Sequence, residues 1–122
     1  MNKKTVIVGA SETRSSYAYL AAINLRAKHH EVIPLSIHQG KVMGLDFLDL
    51  KSKPSLSNVD TITLYINPSR QREWEEYILS LRPIRLIFNP GTENASLIEK
   101  AKSEGIEVVI GCTLVMLSTG QY

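Results

Sequence analysis

Lys4-Thr5-Val6-Ile7-Val8-Gly9-Ala10-Ser11 reads as a buried strand that breaks on glycine, and a helical pattern follows from about Ser15. An open α/β sheet presents backbone N–H groups to phosphate in this way, at a strand tip that re-enters as a helix. The stretch therefore places a ligand site above the first strand and points to a ligand that carries phosphates. The other reading is a tight turn with a capped helix. Arg14 adds a fixed cation with bidentate geometry for phosphate, or stands as a solvated arginine.

Working outward, strand and helix alternate. Glu31 to Leu35 form a second short apolar run, and Gly40 to Leu48 alternate loosely, as in an extended excursion or a small hairpin. Ser52 to Asn58 read as a loop. Thr61 to Ile66 are β-branched and aromatic, which suits a core strand. Asn67-Pro68 then opens a helix, Asn as cap and Pro in the first turn, where its missing N–H costs nothing. Trp74, Tyr77, Ile78 and Leu81 recur at i, i+3, i+4, i+7 and predict an apolar helix face. In the first helix, Tyr17, Leu20, Ala21 and Asn24 with Ala27 share the predicted face. Ile84 to Phe88 are another strand, Asn89-Pro90-Gly91-Thr92 turn into a helix over 93–104 that Gly105 ends, and Glu107 to Ile110 are the last strand. Thr113 to Ser118 close as a short helix. The pattern predicts a single α/β domain over 1–122, a mainly parallel sheet with helices on both faces. Ligands in such a sheet sit beyond the carboxyl ends of the strands.

Composition narrows the function. The 122 residues are 43% hydrophobic and 21% charged, with a formal charge of +2. That charge, with no basic run longer than Lys3-Lys4, argues against nucleic acid. No apolar stretch nears the about 20 residues needed to span a bilayer. The single cysteine, Cys112, fits a reducing compartment, and with no apolar leader the expected location is the cytoplasm.

Several residues compete for roles. A nicotinamide fingerprint needs glycines where Ser11 and Arg14 stand, and an acidic residue where Pro34-Leu35-Ser36 stand, so NAD(P) is disfavoured. A P-loop is excluded because Val42 follows Gly40-Lys41. His29, His30 and His38 lack the companions of a metal site. His38 and Lys41 either meet a ribose phosphate or are solvated loop residues. Glu93-Asn94 either contact ligand or mark a helix start. Cys112 reads as a small hydrophobe, since no histidine has an evident place beside it as a base, and no complete catalytic constellation appears.

Val8-Gly9-Ala10-Ser11, Gly40-Lys41-Val42-Met43-Gly44, Asn67-Pro68, Asn89-Pro90-Gly91-Thr92-Glu93-Asn94 and Gly111-Cys112-Thr113-Leu114, taken in order, carry a resemblance. The chain resembles the small stand-alone CoA-binding proteins, which are similar to the CoA-binding N-terminal domain of the succinyl-CoA synthetase alpha subunit. The resemblance covers nearly the whole chain. It implies an α/β fold with a Rossmann-like open parallel sheet of about five strands and helices on both faces, and coenzyme A or an acyl-CoA as ligand, bound across the strand tips. Gly9, Ala10, Ser11 and Arg14, with Ser15 at the helix start, would match the diphosphate loop. Ser36 and the Gly40-Lys41 pair would match the loop that meets the adenosine ribose and its phosphate. Tyr65, Asn67 and Pro68 would border the adenine. Asn89, Gly91, Thr92, Glu93 and Asn94 would face the pantetheine arm. The chain departs from the family pattern at His29-His30, at Leu35-Ser36-Ile37 and at Phe88. The expected partner is a small nucleotide ligand, with no nucleic acid and no membrane, and the expected role is binding without catalysis. The alternatives are an interaction protein with a vestigial site, acting through a homodimer or another protein partner, and an NAD(P)-binding protein.

Overall fold

The first strand, β1 (Thr5–Val8), is buried along its whole length because it lies in the middle of a sheet covered on both faces. The computed structural model describes residues 2–122. After β1 come α1 (Tyr17–Ala27), β2 (Val32–Ser36), the two-residue strands β3 (Lys41–Val42), β4 (Leu45–Asp46) and β5 (Leu48–Asp49), and β6 (Thr61–Leu64). Helices α2 (Pro68–Gln71) and α3 (Glu75–Ser80) are joined by a 3-10 turn, and β7 (Arg85–Phe88), α4 (Ala95–Ser103), β8 (Glu107–Ile110) and α5 (Thr113–Ser118) complete the chain.

Six strands form one parallel sheet in the order β5-β2-β1-β6-β7-β8. The order reverses between β1 and β6, which makes the crevice between their carboxyl ends the natural ligand position. The sheet has six strands where about five are expected, because Leu48 and Asp49 add an edge strand beside Leu35 and Ser36. The expected hairpin forms from β3 and β4, with Met43 and Gly44 both at positive φ in its turn. That is the two-residue turn whose twist matches a hairpin.

Side chains alternate across the sheet. One face carries Val6, Val8, Leu35, Ile62, Leu64, Leu86 and Phe88, packed in one cluster with Trp74, Tyr77, Ile78 and Leu81 as the periodicity predicts. The opposite face places Ile7 and Val32 under α1 and α5. The predicted face of α1 is corrected. Ala18, Ala21, Ala22 and Leu25 are buried, while Tyr17 is 71% exposed. Small side chains let the helix lie close to the sheet, and that close approach outweighs the larger apolar area of Tyr17. Under α5 the second face turns polar, with Thr61, Thr63, Arg85 and Asn89 all buried. No helix among the described residues is long and apolar enough to cross a membrane.

Candidate functional site

The turn after β1 is held by the neighbouring strand. Gly9 and Ala10 both donate their N–H groups to the Leu35 carbonyl, at 3.0 and 2.9 Å. Gly9 sits at φ +99°, and a Cβ there would lie 2.8 Å from Ile66 Cγ2 and 3.0 Å from the Tyr65 carbonyl carbon. Any side chain at Gly9 would be strained in backbone and would push the β1 and β6 tips apart. Beyond it, the Ser11 hydroxyl accepts the Thr13 N–H, and Ser16 caps α1 by accepting the Tyr19 N–H. The cap is Ser16, and Ser15 lies in the exposed turn before it. The N–H groups of Ser11, Glu12, Arg14 and Ser15 have no acceptor among the described residues, and the exposed Arg14 side chain has no partner among them either. The donors free to meet an anion therefore begin at Ser11, one residue past the glycine and alanine that the sequence singles out.

The loop after β2 faces this turn. Ser36 is buried, and its hydroxyl accepts the His38 N–H at 3.0 Å, so it shapes the turn. The Glu12 carboxylate accepts the Lys41 N–H at 2.9 Å and rests against Gly40, where a Cβ would be 2.7 Å from Glu12 Cδ. Gly40 therefore lets the first turn and the hairpin touch. The Lys41 ammonium is 3.8 Å from Asp46 with both side chains exposed, a pair worth about 0–1 kcal/mol, so it turns to another anion at little cost.

A cleft of about 250 Å³ opens between these loops and the β6 tip. Gly9, Ala10, Ser36 and His38 line one side, and Tyr65, Ile66, Arg70, Glu73 and Trp74 the other. Asn67 caps α2 by accepting the Arg70 N–H at 3.0 Å, with Pro68 in the first turn as predicted. That cap sets Arg70 and Glu73 at the cleft. The sequence reading misses Arg70, which no local pattern separates from a solvated arginine. The signal was its place in the first turn of the helix that follows the switch-point strand. Trp74 is both core anchor and cleft wall.

The loop after β7 is polar but inward-looking. Asn89 donates to Thr63 Oγ1 at 2.7 Å and to the Leu64 carbonyl at 2.9 Å, and accepts the Thr113 N–H at 2.9 Å. Thr92 donates its hydroxyl to the Asn89 carbonyl, and Glu93 accepts the Gly91 N–H. Asn94 caps α4 through Leu97 and donates to Gln71 and Glu75. Burial pulls the Glu75 carboxyl upward, but hydrogen bonds from Asn94 and Lys100 and the Lys100 charge hold it below the usual carboxylate range. Of the two readings of Glu93-Asn94, the helix-start one describes their bonds.

Tyr65 lines both the cleft and a second cavity of about 420 Å³. Tyr17, Asn89 and Pro90 line it together with Cys112, Leu114 and Val115. The Tyr65 hydroxyl is buried with no hydrogen bond of acceptable geometry. Burial pushes it up to about 12, against a downward pull from the nearby Thr113 and Thr63 hydroxyls, so it stays protonated. Among the described residues no three His, Cys, Asp or Glu side chains group as metal ligands.

The structure thus gathers Gly9, Ala10, Ser36, His38 and Tyr65 around one cleft, with Ser11, Arg14 and Ser15 in the adjoining turn and Asn67 and Pro68 at the base of the helix that flanks it. Lys41 lines a neighbouring groove with Glu12. Asn89 lines the second cavity, and Gly91, Thr92, Glu93 and Asn94 contribute to neither.

No curated protein matches the chain. A crystal structure described as that of an uncharacterized protein is 51% identical, with a TM-score of 0.96 over 100% of this chain and 99% of that one. A hypothetical protein from Pyrococcus horikoshii is 21% identical, with a TM-score of 0.82 over 96% of this chain and 82% of that one. A protein from Thermus thermophilus is 21% identical, with a TM-score of 0.79 over 98% of this chain and 91% of that one. The last two show the shared Rossmann-like fold. The model of the CoA binding domain matches residues 3–118, and the chain belongs to that family.

Proposed function

We propose that the chain is a single binding domain that holds coenzyme A across the carboxyl ends of its strands and works by binding rather than by catalysis. The family supports a CoA-binding role. The observation that carries the placement is the run of free donors at Ser11, Glu12, Arg14 and Ser15, next to the cleft at the reversal of strand order. The diphosphate lies against these N–H groups and the N-terminus of α1, where the helix dipole favours negative charge. Arg14 and Arg70 reach it from two sides as bidentate cations. The nucleoside occupies the cleft against Trp74 and Tyr65, and Lys41 leaves Asp46 for the ribose phosphate. The pantetheine arm passes Tyr65 toward the Asn89 loop. A binding role is supported by the lining of the second cavity, where Cys112 stands with Tyr17, Tyr65, Asn89, Pro90, Leu114 and Val115 and no His, Asp or Glu side chain lines the wall with it.

Calorimetric titration with CoA, dephospho-CoA, NAD and ADP tests this. CoA is expected to bind at least about tenfold tighter than dephospho-CoA, the ~1.4 kcal/mol of one charge-assisted contact. Absence of CoA binding, or tighter binding of NAD, would overturn the reading.

A further inference from the structure

We propose that the cavity beside β8 receives the apolar acyl group of a CoA thioester, so that the acylated coenzyme is the preferred ligand. The inference rests on the CoA reading and adds the chemical class of the group at the far end of the ligand.

Three observations carry it. First, the cavity adjoins the nucleotide cleft, with the Tyr65 side chain lining both. Second, apart from the exposed Tyr17, the hydrogen-bonding side chains in its walls are already engaged or hidden. Asn89 makes three internal hydrogen bonds, and the Tyr65 hydroxyl is buried away from the surface. The walls therefore present carbon from Pro90, Leu114 and Val115, with the Cys112 thiol as a weak polar group. Third, apolar side chains stand open at this cavity: Tyr17 is 71% exposed and Val115 55%. A free pantetheine thiol is short and leaves them in water. A hydrocarbon chain on that sulfur lies against both. The nucleotide cleft has the opposite character, with His38, Arg70 and Glu73 at its walls. The two cavities thus match a ligand that is charged at one end and hydrocarbon at the other.

The experiment compares dissociation constants for CoA, acetyl-CoA, butyryl-CoA and hexanoyl-CoA, with free hexanoate as a separate arm. Affinity is expected to rise along the series by up to about fourfold per methylene, the ~0.8 kcal/mol of one buried CH₂. Val115→Asp, at an exposed position that tolerates charge, is expected to bring the ratio of hexanoyl-CoA to CoA affinity toward one. Val115→Ala should reduce the same ratio more modestly. Equal affinity for all four CoA species would overturn the inference and leave the CoA reading standing. Failure of every species to bind would overturn both. Hexanoate binding as tightly as its thioester would overturn the assignment to a thioester. Equal affinities together with a dimer that Val115→Asp dissociates would assign the apolar rim to a second copy of the chain, and would also overturn it.

Discussion

Two loops at the same end of the sheet carry similar residues and do opposite things. The loop after β1, residues 9–16, and the loop after β7, residues 89–94, are both short, polar and glycine-bearing, and each leads into a helix. In the first, four consecutive-region N–H donors and the Arg14 guanidinium have no partner among the described residues. In the second, Asn89, Thr92, Glu93 and Asn94 each use their side chains on internal bonds. Polar residues at a strand tip therefore mark either a ligand surface or a joint between elements. What separates the two is whether their hydrogen bonds are already satisfied.

The largest test breaks the joint. Asn89→Ala removes two donors and an acceptor from a site that is 2% exposed, leaving the Leu64 carbonyl and the Thr113 N–H to share the loss. At about 1–3 kcal/mol for each buried group left without a partner, the expected destabilisation is about 3 kcal/mol. Urea denaturation reads it, and a loss below about 1 kcal/mol would show that water replaces the side chain there.

A smaller effect with the opposite signature is expected at the other loop. Arg14→Ala should change stability by less than about 0.5 kcal/mol, because the side chain is exposed and has no hydrogen bond or ion pair among the described residues. Its CoA affinity should fall about tenfold, ~1.4 kcal/mol, with a reduced dependence on salt. Calorimetry at two salt concentrations checks both. A stability loss without an affinity loss would place Arg14 among the joints.

The same distinction explains what was legible in the sequence. The strands and the Asn67-Pro68 cap were legible because their causes are local: a β-branched run, or a side chain that reaches its own third neighbour. The edge strand Leu48–Asp49 was not, because two residues carry no period and the pairing is set by the free edge of β2. Tyr17 was assigned to the buried face because periodicity gives the spacing of a stripe but not which stripe meets the sheet. At the site, Gly9 was legible as a turn. The partners of Asn89 lie 24 to 26 residues away, so its role as a joint was invisible locally. Arg70 was missed for the converse reason, since only the fold brings it to the cleft.

Tyr65 stands between the two loops, and replacing it gives the finest test. Its hydroxyl is buried without a proper partner, so Tyr65→Phe removes an unsatisfied group and leaves the ring as wall to both cavities. At neutral pH the variant should be as stable as the parent or up to about 1 kcal/mol more so. Alkaline pH sharpens the result. The folded-state value of about 12 lies above the ordinary 10, so below pH 10 both states keep the proton. Between pH 10 and 12 the unfolded chain ionises first, and the folded state loses up to about 2 kcal/mol of relative stability. Burial also raises Tyr77 and Tyr122, which add to the same alkaline decline. Tyr65→Phe should therefore flatten that decline without abolishing it. A variant less stable than the parent at neutral pH would show that the hydroxyl bonds Thr63 or Thr113 after all. Tyr65 would then belong to the joint, and the boundary between the cavities would be a fixed partition rather than a passage for the ligand.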